Sequence, residues 1–570
     1  MSLISAAFIA AQVWLELRIP EYMAELTMLV QLQASTDDIW RTGSWMIACA
    51  FGSLALAIVV GFLAAKIAAV FAGRLRLNIF RKVQTFSMGE INRFSTSSLI
   101  TRSTNDVTQV QMIIAMGLQV IIRAPIMAVW ATVRITGMHT PQWTAATRIA
   151  LFFIAIVLFV LSVLVLPRFK KIQALTDKLN AATRENLIGL RVIRAFNAEG
   201  YQEKKSRAVN RELTENQMFT SRAISIMMPC LTLVMSGLTL AVFWIGAHLL
   251  DSAAETAELF ANMIVFSAYA MQVVMSFVMM VFIFAMLPRV LVSAKRINEV
   301  LETETSIPDG PGVHFSEDGE RGTVEFRNVS FKYPGAQSYV LRNISFRAQP
   351  GETLAFIGST GSGKSTIVNL IPRFYDATEG QVLVNGVDVR EYTLKQLRSR
   401  LGYIPQRAVI FSGTVASNVA FGDNGKGKAD KDQIKRAVQL ARGAEFVERM
   451  PDTYDSPIAQ GGTNISGGQK QRISIARAIC RDPDIFIFDD SFSALDFKTD
   501  KELRRSLKDE LSGATRLIVA QRIGTIRDAD KIVVLDKGEL AGLGTHKELM
   551  RDCRVYREIA YSQLSEEELA

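Results

Sequence analysis

The sequence contains little cysteine. Only four of the 570 residues are cysteines, namely Cys49, Cys230, Cys480 and Cys553. None stands at the short spacing from another that a metal site or a redox motif requires, and two of them lie inside apolar runs. We therefore expect reduced cysteines that pack against their neighbours, and nothing in the pattern indicates disulfides.

The N-terminus lacks the features of a cleaved signal peptide. The apolar run 2–15 has no basic residue before it. It is followed by residues 16–20, Glu-Leu-Arg-Ile-Pro, where a cleavage site would need small side chains. The run is therefore predicted to remain in the protein as a membrane span.

Six long apolar runs fill the first half of the chain, and most reach the ~20 residues that a bilayer requires. They cover residues 2–15, 45–70, 112–133, 149–166, 224–250 and 259–287. We predict an all-α transmembrane domain of six helices over residues 1–305, within the cell membrane.

Basic residues outnumber acidic ones, 64 to 55, which gives a net charge of +9 and raises the question of a nucleic-acid partner. Many of them crowd the connections after the second and fourth apolar runs, where membrane topology accounts for them. These residues are Arg74, Arg76, Arg81, Lys82, Arg93, Arg102, Arg168, Lys170, Lys171, Lys178, Arg184, Arg191 and Arg194. We expect no nucleic-acid partner. Both basic connections, and hence both chain termini, are predicted to be cytoplasmic.

The second half of the chain changes character. After a linker at 306–322, short β-branched runs alternate with glycine, proline and charged turns, which predicts an α/β domain over 323–570. A strand at 353–357 and a helix from 365 to 370 flank a complete GxxxxGK[ST] phosphate loop. Lys364 is expected to reach the β and γ phosphates of ATP, and Ser365 to ligate Mg²⁺. The predicted nucleotide contacts here are Gly358, Ser359, Thr360, Gly361, Ser362, Gly363, Lys364, Ser365 and Thr366.

A second motif follows about a hundred residues later. Ser466, Gly467, Gly468 and Gln469 precede a predicted helix at 471–479 and a strand ending in Asp489. This arrangement resembles the signature of ATP-binding cassette (ABC) proteins. The resemblance implies that each ATP lies between two such domains, with the signature of one closing over the γ-phosphate held by the other.

The resemblance extends along the whole soluble half. Tyr333 matches the aromatic residue that stacks on adenine, and Gln406 the glutamine that senses Mg²⁺. Asp489 matches the carboxylate that orders Mg²⁺, and residues 493–496 match the segment that crosses the dimer interface. ATP and Mg²⁺ are therefore the implied ligands, with Ser365, Gln406 and Asp489 at the metal.

Two positions depart from the family. Asp490 stands where a glutamate acts as general base, and its carboxylate is one C–C bond, ~1.5 Å, short. Misplacement of that size costs on the order of 10²-fold in rate. Gln521 stands where a histidine contacts the γ-phosphate, and an amide takes up no proton. The catalytic candidates are thus Asp490, Gln521 and Gln406 at a degenerate site, and the alternative is that Asp490 still serves as a slow base.

An intact signature beside a degenerate site predicts a heterodimer. The signature would complete a competent site whose glutamate and histidine come from a second half-transporter, whereas a homodimer would combine two poor sites. Gln460, where homodimeric exporters usually carry glutamate, gives weak support.

The membrane half is similar to that of a half-size multidrug exporter. Residues 98–106 and 185–196 match its two coupling segments, with Phe196 as the side chain expected to enter the partner's ATPase domain. No protease-like domain precedes the first span, which counts against a peptide-processing exporter.

Two features of the spans concern the cargo. Arg123 is an ionisable residue in an apolar run, with either a cavity role or a snorkelling position at the inner interface. Met271, Met275 and Met279 fall one turn apart and line either a cavity or a helix interface.

The predicted function is ATP-driven export of hydrophobic or amphipathic compounds, drugs or lipids, across the bilayer. Two alternatives are an importer on the exporter fold and a regulatory ATP-binding membrane subunit.

Overall fold

The computed structural model describes residues 2–138, 141–250, 256–313, 321–425 and 427–564. It separates into two compact units. The membrane unit comprises residues up to 81 together with 100–302, and the nucleotide unit comprises 82–99 together with the chain from 303 onward.

Long helices make up the first half of the chain. In order they are α1 Ser2–Gln31, α2 Thr36–Gln84, α3 Met88–Phe94, α4 Thr96–Thr101, a π-helical turn Arg102–Asp106, α5 Val107–Gly137, α6 Pro141–Ile188, α7 Leu190–Ala195, α8 Glu199–Leu250 and α9 Thr256–Glu302. Within the described residues, six helices are long and apolar enough to cross a membrane, which confirms the six predicted spans. The 52 residues of α8 extend for about 78 Å, more than twice the thickness of the bilayer's hydrocarbon core.

The core of the membrane unit brings together α1, α2, α5, α6, α8 and α9. Trp143 and Phe266 are fully buried, with ring centroids 5.2 Å apart. The Tyr269 hydroxyl donates a 2.8 Å hydrogen bond to the carbonyl of Leu17 on α1. Large apolar side chains such as Phe152 remain exposed, as expected of surfaces that face lipid.

The nucleotide unit is α/β. Its elements are β1 Val324–Phe331, β2 Leu341–Ala348, β3 Thr353–Gly358, α10 Lys364–Leu370, β4 Glu379–Val384, β5 Val387–Asp388, α11 Leu394–Ser399, β6 Leu401–Ile404, β7 Gly413–Thr414, α12 Val415–Val419, α13 Lys431–Leu440, α14 Ala444–Val447, β8 Pro457–Ile458, α15 Gly467–Cys480, β9 Ile485–Asp489, α16 Phe497–Glu510, β10 Thr515–Val519, α17 Ile523–Ile526, β11 Lys531–Asp536, β12 Glu539–Gly544, α18 His546–Asp552 and α19 Arg554–Tyr561. The strand and helix that flank the phosphate loop lie where the sequence predicts them.

Two larger sheets organise this unit. One has the order β2-β1-β4-β5, and the other has the order β12-β11-β3-β10-β9-β6. Side chains alternate across β3: Leu354 and Phe356 enter one apolar core, whereas Ala355 and Ile357 enter the other. Such burial on both faces explains the continuous apolar runs of the parallel strands.

The neighbouring strands β3, β10 and β9 are parallel and adjacent. Their carboxyl ends therefore meet at one edge of the six-stranded sheet. The phosphate loop, Gln521 and Asp490 follow these three strands in turn, so the strand order alone brings the predicted site together.

The first coupling segment is predicted at 98–106. The structure groups residues 82–99, which include helix α3, with the nucleotide unit and residues 100–302 with the membrane unit. The Nδ2 of Asn92 donates to the hydroxyl of Tyr375 at 3.1 Å, and the backbone N–H of Ser306 donates to Glu90 at 3.3 Å. Ser87 and Glu90 form a capping box that starts this helix.

Candidate functional site

The phosphate loop depends on glycine at Gly361 and Gly363, whose φ angles are +84° and +97°. Gly363 is the N-cap of α10, and a Cβ there would lie 2.6 Å from the Cδ2 atom of Leu341. Only glycine fits both the conformation and the space. The loop thus delivers the N-terminus of α10, with its free N–H groups, to the edge of the sheet.

Lys364 is buried at the base of this loop. Its Nζ donates hydrogen bonds of 2.8 Å to the carbonyls of Gly358 and Ser359. Burial lowers the pKa of the ammonium group, and the charges of Asp490 and Asp489 oppose that shift. The lysine is therefore a cation held by two neutral acceptors, ready to bind phosphate oxygens.

Ser365 and Asp489 lie in direct contact. The Ser365 Oγ donates a 2.7 Å hydrogen bond to Oδ1 of Asp489, which is 6% exposed. Burial raises the pKa of Asp489, while the hydrogen bond from Ser365 lowers it. A hydroxyl and a carboxylate oxygen at hydrogen-bond distance form a hard-oxygen donor set that fits Mg²⁺.

Asp490 is held by two side-chain amides. Its Oδ2 accepts hydrogen bonds from Nε2 of Gln521 at 2.8 Å and from Nε2 of Gln406 at 3.1 Å. The residue is 7% exposed and its φ is +48°. Burial raises the pKa of this carboxyl, and the bonds from Gln406 and Gln521 oppose the rise. The three residues predicted to be catalytic therefore form one cluster, in which two donors share a single carboxylate oxygen.

The signature residues cap helix α15. The Ser466 Oγ accepts from the N–H of Gln469, and the Gln469 Oε1 accepts from the N–H of Ser466 at 2.8 Å. Ser466 and Gly467 are exposed. Among the described residues, no hydrogen bond joins the signature to the phosphate loop of the same chain. Its helix N-terminus is thus presented outward, in a form suited to an anion.

Tyr333 belongs to an aromatic cluster beside α10. Its ring meets Phe331 and Tyr375 edge-on, with centroid distances of 4.9 and 5.2 Å. Its hydroxyl lies 3.0 Å from Oγ1 of Thr366. A cavity of about 240 Å³ is lined by Tyr333 and Tyr375. The predicted adenine contact therefore lies directly beside the helix that begins at the phosphate loop.

Tyr403 and Gln563 are site neighbours that the sequence analysis missed. Tyr403 lies on β6 beside β9, and burial and the nearby Asp489 raise its pKa. Its position near Asp489 follows from the strand order, in which β6 is paired with β9. Gln563 follows α19 and contacts the backbone of Gln521. No sequence pattern marks it, because its partner is 42 residues away.

The membrane unit contains a second polar cluster. Nη2 of Arg123 on α5 lies 2.8 Å from Oε2 of Glu16 on α1. Gln12 and Ser53 also donate to Glu16, at 2.9 and 3.2 Å. Arg123 on α5 is thus paired with an acidic side chain on α1.

A cavity of about 300 Å³ lies between α5 and α9. Arg123, Gln272 and Ser276 supply its polar lining, whereas Met127, Met275 and Met279 supply flexible apolar walls. Of the three methionines on α9 singled out in the sequence, two therefore line a cavity.

Comparison with known proteins agrees with this architecture. A family model described as ABC transporter transmembrane region matches residues 2–300, and one described as ABC transporter matches residues 341–493. An uncharacterized ABC transporter ATP-binding protein of Mycobacterium tuberculosis is 39% identical over 96% of this chain and 93% of its own length. The ATP-dependent lipid A-core flippase of Pseudomonas aeruginosa is 31% identical, with 86% of this chain and 79% of the flippase covered.

A solved structure shares the fold. It is the structure of a bacterial Atm1-family ABC exporter with ATP bound, which matches with a TM-score of 0.79 and 22% identity over 99% of this chain and 98% of the exporter. Six membrane-crossing helices precede a nucleotide unit with an intact phosphate loop and signature. The chain therefore belongs to the ABC transporter family, as a multi-pass membrane protein with the exporter fold and an ABC-type ATPase domain.

Proposed function

We propose that this chain is one half of a heterodimeric ABC exporter and that its own phosphate loop holds ATP without hydrolysing it efficiently. The observation that carries this proposal is the Asp490 cluster. The carboxylate at the position of the general base is short, buried and bonded through one oxygen to two amides.

Every element needed to bind nucleotide is present. Lys364 offers a positive charge, the loop glycines admit the phosphates, and Tyr333 offers an aromatic face beside α10. Ser365 and Asp489, with Gln406, would hold Mg²⁺, which when bound neutralises charge on the phosphate oxygens. The chain is thus expected to retain affinity for ATP.

The elements that carry out hydrolysis are the ones that differ. A general base must reach the attacking water, and a misplacement of ~1.5 Å costs on the order of 10²-fold in rate, or about 2.7 kcal/mol of barrier. Gln521 donates to Asp490 but has no titratable group with which to take up a proton. Both losses affect the same step, so efficient turnover is expected only at a site whose base comes from another subunit.

Two surfaces support the presence of a second subunit. The outward signature would complete a site whose glutamate and histidine come from a second half-transporter. On the connection between α6 and α8, the side chains of Phe196, Ile188 and Val192 are 78%, 81% and 61% exposed. An apolar, exposed cytoplasmic tip suits the coupling role of this segment, in which Phe196 enters the partner's ATPase domain.

We propose hydrophobic or amphipathic cargo, drugs or lipids, carried across the cell membrane with both termini in the cytoplasm. The cavity beside Arg123 combines methionine walls with a guanidinium and an amide, which suits molecules that have both apolar and polar parts. A relative named as a lipid A-core flippase supports a lipid-like cargo. The basic connections after α2 and α6 support the orientation.

The test is the ATPase rate of this chain, purified alone in lipid nanodiscs, beside Asp490→Glu, Gln521→His and the double variant. We expect ATP binding by all four proteins and turnover of the unmodified chain far below the ~1–10³ s⁻¹ typical of enzymes. Because Gln521 contacts Asp490, the two changes should restore turnover more than additively. Brisk turnover by the unmodified chain would make Asp490 a working base and remove the argument for a heterodimer.

A further inference from the structure

The side chain of Gln563 bridges the loop that carries Gln521. Its Nε2 donates a 2.7 Å hydrogen bond to the backbone carbonyl of Gln521. Its Oε1 accepts a 2.8 Å hydrogen bond from the backbone N–H of Ile523. One amide therefore fixes the peptide groups on both sides of Arg522.

This contact replaces a missing helix cap. Helix α17 begins at Ile523, and its N-cap residue, Arg522, makes no side-chain capping bond. The first N–H groups of a helix have no partner within the helix. Gln563 provides that partner for Ile523 from a distant part of the chain, and at the same time binds the carbonyl of Gln521.

The residues on both sides of this hydrogen-bonded contact are packed against the core of the nucleotide unit. Ile523 is fully buried, and α19, which precedes Gln563, packs into the core through the buried Tyr556 and Ala560. Asp490, Gln521 and Gln563 line one cavity of about 540 Å³. The position of the Gln521 backbone, and with it the reach of its side chain toward Asp490, thus depends on Gln563.

We propose that Gln563 is a positioning residue for the degenerate site. By holding the backbone of Gln521, it sets the direction of the amide that faces Asp490 and, when ATP is bound, the γ-phosphate. The C-terminal segment thereby determines how long ATP stays at this site. This inference rests on the proposed function, because Gln521 is assigned to the γ-phosphate there.

The test compares Gln563→Ala with Ser562→Ala in nanodiscs. Ser562 is the matched control, because it is the exposed neighbour and its hydroxyl bonds only within its own helix turn, to the carbonyl of Ile559. Dissociation rates are measured for a fluorescent non-hydrolysable ATP analogue and for fluorescent ADP. Gln563→Ala should release the ATP analogue about five- to tenfold faster, the order of magnitude for one net hydrogen bond, and leave ADP release unchanged.

A third variant checks the mechanism. Gln563→Glu keeps the acceptor for the N–H of Ile523 but cannot donate to the carbonyl of Gln521, so its ATP release should be faster than in the unmodified chain. Equal acceleration of ATP and ADP release would indicate general loosening and overturn the proposal, as would no change in either rate. Because the analogue is not hydrolysed, these outcomes are separate from the turnover that decides the proposed function.

Discussion

At the scale of single residues, positions 490 and 521 lie 31 residues apart in sequence and share one hydrogen bond. A change at either position alters the partner of the other. The sequence predicts that both positions depart from the family pattern, but it does not predict that Gln406 and Gln521 bind the same oxygen of Asp490. That geometry follows from the order of β3, β10 and β9 and from side-chain rotamers, which no local pattern encodes.

The raised pKa of Asp490 predicts whether removing its charge stabilises or destabilises the fold. Its folded-state pKa lies above the unfolded value, so the carboxyl favours folding while protonated, and this contribution is lost as pH rises through the folded pKa. At neutral pH the ionised group therefore costs stability. Asp490→Asn, which keeps an acceptor for both glutamines, should raise the melting temperature at neutral pH by a few degrees.

The difference in melting temperature between Asp490→Asn and the unmodified chain should narrow as the pH falls through the raised folded-state pKa of Asp490. Differential scanning fluorimetry in nanodiscs measures both effects. The control is Asp496→Asn, because the N–H of Thr499 lowers the pKa of Asp496 and its ionised form favours folding. An Asp490→Asn variant that is less stable than the unmodified chain at neutral pH would refute this account.

At the scale of secondary-structure elements, the sequence predicted the type of most elements better than their extent. The first apolar run was placed at 2–15, yet α1 continues to Gln31. Glu16 and Glu21 interrupt the run, and their partners Arg123 and Arg134 lie on α5, more than a hundred residues away. Pairing between helices lets charged residues remain in a span, and only the tertiary structure reveals it.

The ion pair between Glu16 and Arg123 predicts a measurable effect for a single substitution. Arg123→Ala would leave the Glu16 carboxylate, whose side chain is 18% exposed, with the weaker donors Gln12 and Ser53. Removing one partner of a fully buried pair costs about 3–5 kcal/mol, and because the Arg123 side chain is 46% exposed we expect a smaller loss of about 1–2 kcal/mol and a lower melting temperature.

Replacing both partners, as in Glu16→Gln with Arg123→Met, should recover most of the loss. The control is Arg207→Ala, which breaks an exposed pair with Glu203 on α8 and should cost ~0.5 kcal/mol or less. If the melting temperature of Arg123→Ala fell by no more than that of the control, the pair between Glu16 and Arg123 would contribute nothing measurable to stability.

At the scale of the whole molecule, the ABC exporter fold follows from a few features visible in the sequence: six apolar runs, a phosphate loop and a signature. The identities of the partner and the cargo cannot be predicted from this sequence, because they depend on exposed surfaces whose counterparts lie on other molecules. Phe196 and the signature residues Ser466 and Gly467 are exposed, and the resemblance predicts that both surfaces contact a second subunit.

Transport should depend on Phe196. In inverted membrane vesicles that contain this chain and the half-transporter that co-purifies with it, ATP should drive uptake of a fluorescent amphiphile, and Phe196→Ala should reduce uptake at least tenfold while leaving nucleotide binding by the phosphate loop intact. Tyr201→Ala, an equally exposed aromatic on α8, is the control. Uptake only into right-side-out vesicles would indicate an importer, and ATP consumption without uptake would indicate a regulatory subunit.

The most direct measurement is the chemical identity of the nucleotide that this chain retains. The purified unmodified chain is loaded with radiolabelled ATP and Mg²⁺, separated from free nucleotide, and assayed over time for bound ATP and ADP, with Lys364→Ala as the control for binding. The account predicts that the retained nucleotide stays ATP, whereas Asp490→Glu with Gln521→His converts it to ADP. Rapid conversion to ADP by the unmodified chain would contradict the central claim that its site binds ATP without hydrolysing it efficiently.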